Sequence, residues 1–415
     1  MRFLILTQYF VPEIGAAPTR LSAMIRQLRI QGHEVEVVTA FPNYPNGKIT
    51  PGYKGMFFHR EIRDDIVVHR TWLYATAGSG LARFLNYLSF AATSFFGLAR
   101  AKKPDFLFVE SPPLFLVPTA YVYSRLRNVP FILNVADLWP DAVIEMGLIK
   151  KGLAREILTS LERWSYRRAA YVNAITEGIR VSLLKEKNLP PQKVLYLPNG
   201  VDTDSYQPGP ADEELMASLG LTGKKIVLYA GTLGRAHGLE NVLKAAKMLQ
   251  HLPEIHFLFV GDGSERPRLE KLRAEMALNN VSFRDFVPLS QLKAYYSIAE
   301  CGLASLLDLP IFESARPSKI FAVLASGKPM VYFGKGEGAR LVQLANAGVV
   351  VEPENSEALA KTVSGLLGNR KLVHELGSNG RKYVEENYEW SKLVSTWVSS
   401  LPQTTCTPTA FASQN

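Results

Sequence analysis

The sequence predicts an α/β protein built from two Rossmann-like, doubly wound parallel-sheet domains that face each other across a cleft. Three observations predict this fold class. Short apolar runs alternate with helical periodicity through most of the 415 residues, as in α/β proteins. A segment rich in Pro and Gly, residues 198–223, interrupts the alternation near the middle. Loops that carry glycine and cationic residues follow several predicted strands, at the sheet edge where such folds bind ligands.

The first half of the chain contains six apolar runs bounded by turn residues. Continuous runs of Val, Ile, Leu and Phe are typical of strands buried on both faces of a parallel sheet. Helical spacing lies between them, as at Leu21, Ile25 and Leu28. Residues 1–200 are therefore predicted to form an N-terminal domain. The predicted strands are Phe3–Thr7, Val35–Thr39, Phe106–Val109, Phe131–Val135, Tyr171–Ala174 and Val194–Leu197.

The second half repeats this alternation without repeating the sequence. It predicts a C-terminal domain over residues 201–383, which the Pro- and Gly-rich segment joins to the first domain. A helix at about 384–400 is a candidate to pack back on the N-terminal domain. The Thr-, Ser- and Pro-rich residues 402–415 are predicted to be disordered. The predicted strands are Ile226–Ala230, Ile255–Val260, Val281–Phe283, Gly302–Ala304, Met330–Phe333 and Gly348–Val351.

The two cysteines, Cys301 and Cys406, lie far apart in the sequence. Their number and spacing argue against a secreted disulfide framework and against a zinc site. The apolar start of the chain is too short for a signal peptide and lacks a small-residue cleavage site. We therefore expect a cytoplasmic protein, and we predict no metal because no carboxylate pair with metal-ligand spacing is present.

The formal net charge of +9 is unevenly distributed. Residues 1–200 contain 25 Lys and Arg against 15 Asp and Glu, whereas residues 201–415 contain 22 against 23. A basic half indicates either an anionic partner, such as membrane headgroups, a phosphate-bearing acceptor or nucleic acid, or an excess that serves solubility alone.

The segment Leu81–Arg100 combines an apolar helical stripe with basic residues at its end. It is too short and too polar to cross a membrane. It predicts either a helix packed on the N-terminal sheet or an interfacial membrane contact. The stripe consists of Phe84, Leu88, Ala91, Phe95 and Leu98, and the basic residues are Arg100, Lys102 and Lys103.

The segment from Gly231 to Gly238 follows a predicted strand and opens a helix. Gly231 and Gly234 allow a ligand to approach the backbone closely, and a helix N-terminus offers free N–H groups. Arg235 and His237 add cationic or donor groups at the same position. The pattern predicts a diphosphate-binding loop, although a tight βα turn without a ligand has the same glycines.

A second loop, at Gly261 and Gly263, begins like a dinucleotide-binding fingerprint but has Arg266 in the third glycine position. The loop near the start of the chain has only Gly15. An NAD-dependent enzyme is therefore disfavoured.

The third site follows another predicted strand. Pro317 suits the first position of a helix, and Ser318 and Lys319 would lie in its first turn. A lysine there opposes the helix dipole, so it predicts an anionic partner such as a ligand phosphate, unless it is solvated. Together the three loops indicate a nucleotide-diphosphate ligand.

Several segments give the chain its resemblance to family 4 of the retaining glycosyltransferases, which have the GT-B fold. The resemblance extends from Met1 to about Leu401. It is strongest to the bacterial exopolysaccharide and O-antigen branch, which includes colanic-acid glycosyltransferases and N-acetyl-L-fucosamine transferases. The segments are Phe41–Lys48, Asp137–Asp141, Leu197–Asp202, Pro317–Lys319 and Ala325–Pro329.

The chain departs from that family at several positions. The family's Arg and Lys around the diphosphate loop match Thr232 and His237, and Arg235 is a candidate to replace the missing charge. The family's two glutamates match Ser314 and Ala322. These departures leave open a catalytically weak nucleotide-sugar-binding module.

The resemblance implies retaining transfer of a sugar from a nucleotide diphosphate-sugar. It assigns Arg235, His237 and Lys319 to the diphosphate and a loop at Gly15 to the donor face. Glu313, one place from the family's first glutamate, is expected to contact donor-sugar hydroxyls. Asp137, next to the Ala136 that replaces a family His, would orient the acceptor or act as a base, or else cap a helix. The remaining donor-contact candidates are Gly231, Gly234, Gly261, Gly263, Pro288, Pro317 and Ser318.

The resemblance also implies the partners. The donor is expected to be UDP-linked, the acceptor a lipid-linked saccharide, and the basic N-terminal domain is expected to bind the acceptor and to contact an anionic membrane at its inner face. No cofactor is predicted. A nucleotide-sugar epimerase is the alternative enzyme, although no clustered acid–base set supports it. Nucleic-acid binding is disfavoured because no reading motif or stacking platform is present.

Overall fold

The computed structural model describes residues 1–44, 46–78, 80–141, 144 and 152–402. Residues 403–415, nearly all of the tail predicted to be disordered, lie outside this description. Both predicted α/β domains are present, each around one sheet of mainly parallel strands.

The first sheet has eight strands in the order β3-β4-β2-β1-β5-β6-β7-β8. All six strands predicted for this half are present. The hairpin β3–β4 was missed, and β3 pairs antiparallel with β4. As an edge strand with the sequence FHREIR, β3 carries charged residues instead of an apolar run. The strands are β1 (Arg2–Leu6), β2 (Glu34–Ala40), β3 (Phe58–Arg63), β4 (Ile66–Thr71), β5 (Phe106–Ser111), β6 (Phe131–Val135), β7 (Tyr171–Ala174) and β8 (Val194–Tyr196).

Helices cover both faces of this sheet. Apolar residues of the first helix, including Leu21, Ile25 and Leu28, are fully buried against it. The helices are α1 (Ala16–Ile30), α2 (Leu81–Arg100), α3 (Leu116–Arg127), α4 (Leu153–Arg168) and α5 (Glu177–Lys185).

The second sheet is wholly parallel and contains all six strands predicted for it, in the order β11-β10-β9-β12-β13-β14. Its strands are β9 (Lys225–Ala230), β10 (Ile255–Val260), β11 (Val281–Arg284), β12 (Ala299–Ser305), β13 (Met330–Phe333) and β14 (Gly348–Val351). The accompanying helices are α6 (Glu213–Leu219), α7 (Glu240–Met248), α8 (Arg266–Glu275), α9 (Leu289–Ile298), α10 (Lys319–Ala325), α11 (Gly336–Leu344) and α12 (Ser356–Leu367).

The last two helices, α13 (Arg370–Asn387) and α14 (Trp390–Ser400), return the chain to the first domain. Trp390 and Trp397 of α14 are buried in the core that also contains Phe3 and Phe108. The Trp397 ring lies 5.9 Å from both phenylalanine rings. The chain thus crosses between domains twice, and the two crossings pair where the Val201 N–H donates to the Tyr388 carbonyl at 2.8 Å.

A buried ion pair also joins the domains. Arg316 lies 3.2 Å from Glu337 in the second domain and donates to the Ile175 carbonyl in the first. Glu337 in turn accepts from the N–H groups of Glu177 and Gly178, at 3.1 and 2.7 Å. The loop that leads into α10 is therefore held against the N-terminus of α5.

Helix α2 is only partly buried. Its inward face against the sheet includes Phe90, Ala91 and Leu98, whereas Phe84 and Leu88 of the predicted stripe are exposed. The prediction of a helix packed on the N-terminal sheet holds for this inward face, and the exposed residues leave the alternative of an interfacial contact open. Within the described residues, no helix has the length and apolarity needed to cross a membrane.

Candidate functional site

The carboxyl ends of the strands of both domains meet at a cleft. A cavity of about 260 Å³ there is lined by Pro12, Glu13, Ile14 and Tyr44 from the first domain and by Asp262, Asp285 and Phe286 from the second. Open α/β sheets bind ligands at this edge, where the strand order reverses.

The topology explains why two of the predicted loops meet. In the second sheet the order reverses between β9 and β12. The loop that begins at Gly231 follows β9, and the chain that leaves β12 reaches α10 at Lys319. Both therefore lie at the same switch point. A Cβ atom on Gly231 would lie 3.3 Å from the Lys319 Nζ.

Lys319 has a side-chain amine without a polar partner among the described residues. Its Nζ is buried and lies 3.3 Å from the centroid of the Tyr229 ring. Burial lowers the pKa of Lys319 well below its ordinary value. A buried ammonium without a counter-charge is unfavourable, and a bound anion would supply that charge.

Glycine is favoured at three points of this site, because all three have positive φ values and two of them pack against the backbone of the first loop. Gly231, Gly261 and Gly263 have φ values of 141°, 146° and 157°. A Cβ atom on Gly261 would lie 2.0 Å from the Gly231 carbonyl oxygen, and one on Gly263 would lie 2.4 Å from that of Leu233. Gly261 and Gly263 therefore support the first loop. Gly234, at φ −108°, has room for a side chain.

His237 is held in a defined orientation by the end of β12. Its Nδ1 lies 2.9 Å from the Ser305 carbonyl oxygen, and the Ser305 hydroxyl donates to the His237 carbonyl at 2.6 Å. Burial, and then the charge of Lys319, lower the pKa of His237 to about 3. The imidazole is therefore neutral near pH 7, so of the two roles expected for His237 the cationic one is disfavoured and the hydrogen-bonding one remains. Arg235 is exposed and makes no ion pair with any described residue.

The other donor-side candidates lie around these loops. Helix α10 begins at Lys319, so Pro317 precedes the helix, and the Ser318 side chain forms no cap hydrogen bond. Ser318 and Glu313 are exposed. Glu313 belongs to a short 3-10 helix, Pro310–Ser314, whose backbone packs on Gly336. Pro288 precedes α9 two residues after the cavity-lining Phe286.

Asp137 lies on the N-terminal side of the cleft, just after β6. Its side chain reaches solvent at the cleft, but the surrounding protein removes part of its hydration. This desolvation, together with the charge of Glu110, raises the pKa of Asp137 to about 6 against the opposing effect of Arg20. The alternative role as a helix cap for Leu138 fails. Leu138 is not helical, and the Asp137 carboxylate caps no helix within the described residues.

A chain of buried polar groups runs beneath Asp137. Arg20 of α1 pairs with the buried Glu110, which accepts from the Asn134 amide at 2.8 Å. Asn173 donates to Asn134 at 2.7 Å, and Trp397 donates to Asn173 at 3.1 Å. Helix α14 is thereby connected to the cleft edge through β7, β6 and β5.

A second buried carboxylate shapes the N-terminal lip. Glu13 accepts from the N–H groups of Asn43 and Tyr44, each at 2.9 Å, and from that of Phe10 at 3.3 Å. Burial raises the pKa of Glu13 to about 7 against these hydrogen bonds. Gly15, the N-cap residue of α1, follows two residues later with extended backbone and room for a side chain.

Elsewhere, the structure offers less for a ligand. A larger cavity of about 560 Å³ lies beside α1, outside the cleft. Arg26 and Arg29 line it, but Arg26 is paired with Asp202 and Arg29 donates to the Asp64 carbonyl. The described residues contain no group of three or more potential metal ligands.

Sequence reasoning missed Glu13, Arg20 and Glu110. Only Glu110 has a local signal, because it is a charged residue at the end of an apolar strand. The other two acquire their roles from contacts with distant segments.

Comparison with known proteins agrees with this architecture. The Glycosyl transferase 4-like domain model matches residues 15–200, and the Glycosyl transferases group 1 model matches residues 211–383. The Escherichia coli (strain K12) protein WcaI, whose name assigns it to colanic acid biosynthesis as a glycosyl transferase, is 30% identical over 414 residues, covering 97% of this chain and 100% of WcaI.

Solved structures share the fold. Sucrose-phosphate synthase from Thermosynechococcus elongatus superposes with a TM-score of 0.75 at 19% identity, covering 96% of this chain and 97% of the synthase. Anabaena HepE in complex with UDP-glucose superposes with a TM-score of 0.72 at 16% identity, covering 97% of this chain and 100% of HepE. The prediction of two facing Rossmann-like domains is confirmed, and the chain belongs to glycosyltransferase family 4, with the GT-B fold and a glycosyltransferase's activity.

Proposed function

We propose that the enzyme transfers a sugar, with retention, from a UDP-sugar to a lipid-linked saccharide during bacterial exopolysaccharide or O-antigen synthesis. The observation that carries this proposal is the unpartnered Lys319 amine beside the Gly231 loop. The name of WcaI, a relative over the full length, supports a role in polysaccharide synthesis, and HepE, solved with UDP-glucose, supports the donor.

The donor diphosphate would lie between the Gly231 loop and Lys319. As the bond from the sugar C1 to the phosphate oxygen breaks, negative charge grows on the leaving diphosphate. An ammonium already stripped of water stabilises that charge without reorganisation. Arg235, which is exposed beside the same loop, is free to approach the phosphates from solvent.

Because retention requires attack from the face of the sugar that the diphosphate leaves, the acceptor hydroxyl must reach C1 on that face and lose its proton there. Asp137, whose pKa is about 6, is largely ionised at pH 7 and is suited to accept that proton. The departing diphosphate oxygen on the same face of the sugar is the other possible acceptor. Substitution of Asp137 distinguishes the two.

Membrane contact is proposed for the N-terminal domain. Large apolar side chains are exposed along the outer side of α2, and Arg100 lies at its end. Apolar and cationic groups together are typical of surfaces that bind anionic membranes. Co-sedimentation with vesicles that contain an anionic lipid should exceed that with neutral vesicles, and equal binding to both would contradict this contact.

The function is tested with radiolabelled UDP-sugars and a polyprenyl-diphosphate-linked saccharide. We expect label in the lipid fraction and an unchanged anomeric configuration by NMR. Isomerised nucleotide sugar without transfer would indicate an epimerase, and tight donor binding without either product would indicate a binding module. Either result would overturn the proposal.

A further inference from the structure

A path of aromatic rings leads from the exposed surface of α2 to the Asp137 loop. The Phe84 ring, 40% exposed, meets the Phe115 ring edge-on at 5.2 Å, and Phe115 meets Trp139 at 5.7 Å. These three rings form the aromatic path. Trp139 follows Asp137 by two residues, so the path ends at the candidate base.

The outer end of the aromatic path opens onto apolar surface. Leu81 is 72% exposed, and Leu85 and Leu88 of the same helix are exposed beside it. Tyr74 is exposed alongside, with its N–H bonded to Ser89 of α2 at 2.8 Å. No described residue covers this face, and contiguous apolar surface of this kind marks an interaction site.

A cation lies where the apolar surface meets the cleft. Arg83 is half-buried in the first turn of α2, one helical turn before Tyr87, and its charge acts on the hydroxyls of Tyr9 and Tyr87. Tyr87 stacks on Phe115 at 6.1 Å, and Tyr9 meets the cavity-lining Tyr44 at 5.9 Å. Among the described residues, no carboxylate forms an ion pair with Arg83. These three residues, Arg83, Tyr9 and Tyr87, form the Arg83 cluster.

We propose that the Arg83 cluster binds the phosphate of an isoprenoid-phosphate acceptor. The hydrocarbon chain would lie on the exposed apolar face of α2, and the saccharide would follow the aromatic path to Asp137. This inference rests on the proposed transferase function, and it identifies the group by which the acceptor is recognised.

The order of these elements matches the order of groups in such a lipid. Apolar surface, a guanidinium with tyrosine hydroxyls, and aromatic rings suit a hydrocarbon chain, a phosphate and sugar rings in turn. A guanidinium binds phosphate oxygens through paired charge-assisted hydrogen bonds, and hydroxyl groups add further donors. Because Arg83 has no carboxylate partner among the described residues, its charge is available to an anionic ligand.

Binding of farnesyl diphosphate, farnesol and inorganic diphosphate, measured by calorimetry, tests the proposal. Arg83→Gln should lower the affinity for farnesyl diphosphate at least about tenfold, as expected for lost charge-assisted bonds. The affinity for farnesol should be unchanged. Arg125→Gln, on the exposed surface of α3, is the matched control and should change neither. Melting temperatures of both variants show whether they remain folded.

Unchanged farnesyl diphosphate affinity in Arg83→Gln would overturn the inference, and so would an equal loss for farnesol. If Lys319→Met abolished farnesyl diphosphate binding, the probe would occupy the donor site, which also overturns it. Equal Arg83 dependence for phosphatidylglycerol vesicles would reassign the cluster to membrane headgroups. UDP binding is measured in the same variants, so a failure here is separable from a failure of the proposed transfer.

Discussion

The two sides of the cleft carry opposite chemistry. The C-terminal side presents an unpartnered amine, Lys319, over backbone that glycine residues bring close together. The N-terminal side presents carboxylates, Asp137 and Glu13, whose pKa values are raised to about 6 and about 7. In the proposed mechanism, the C-terminal domain would stabilise the negative leaving group and the N-terminal domain would accept the proton of the acceptor.

Of the substitutions considered, Lys319→Met on the C-terminal side of the cleft should reduce transfer activity most. The substitution keeps an aliphatic stem over Tyr229 but removes the charge, so we expect kcat/KM for transfer to fall about 10³-fold, as when a transition-state charge stabiliser is lost. The unfolding free energy should rise by about 1–3 kcal/mol, because an unpartnered buried ammonium disappears.

Lys335→Met is the control for that substitution. Lys335 is exposed and paired with Asp308, so its loss should alter activity and stability little. Near wild-type transfer by Lys319→Met would show that the buried cation has no role in the reaction. Denaturant unfolding and steady-state kinetics provide both measurements.

Asp137→Asn tests the N-terminal side. We expect kcat to fall about 10²-fold, as is typical for loss of a general base. Because the base acts in its ionised form, wild-type activity should decline as the pH falls through about 6. This acidic limb of the pH–activity profile should be absent from the variant. Asp141→Asn, in the same segment but bound to Lys187, should keep the limb. If the acidic limb persists in Asp137→Asn, the departing diphosphate, and not Asp137, accepts the proton of the acceptor hydroxyl.

The glycines of the C-terminal side separate packing from ligand contact. Gly261→Ala places a Cβ atom against the Gly231 carbonyl, so it should cost about 1–3 kcal/mol of unfolding free energy. Gly234→Ala has room and should leave stability unchanged while weakening donor binding. Equal stability of the two variants, by denaturant unfolding, would argue against the loop packing described.

His237→Gln should have the smallest effect on transfer. Its imidazole is neutral near pH 7, because the pKa is lowered to about 3, so only a neutral hydrogen bond is altered. We expect a loss of about 3–10-fold in kcat/KM. A loss as large as that of Lys319→Met would indicate that His237 becomes charged when the donor binds.

The sequence was sufficient to predict most of the fold. Buried parallel strands are continuous apolar runs, and twelve of them were visible as such. The pair β3–β4 was not. The edge strand β3 carries charged residues in place of an apolar run, and the buried strand β4 contains His69 and Arg70. The meeting of Gly231 and Lys319 was predictable, because both follow strands that end at one edge of a sheet.

The polar chain from Arg20 to Trp397 could not be predicted in the same way. Its members come from α1, β5, β6, β7 and α14 and meet only in the folded protein. The neutral state of His237 also depends on its distance from Lys319, which no local pattern encodes. Residues whose roles arise from such contacts need the three-dimensional structure.

The most direct test is the dissociation constant of UDP, compared with that of uridine, in wild-type enzyme and in Lys319→Met. The account predicts that the substitution weakens UDP binding at least about tenfold and leaves uridine binding unchanged, because in the proposed site Lys319 would contact the diphosphate and not the nucleoside. Equal UDP affinity in both proteins would contradict it.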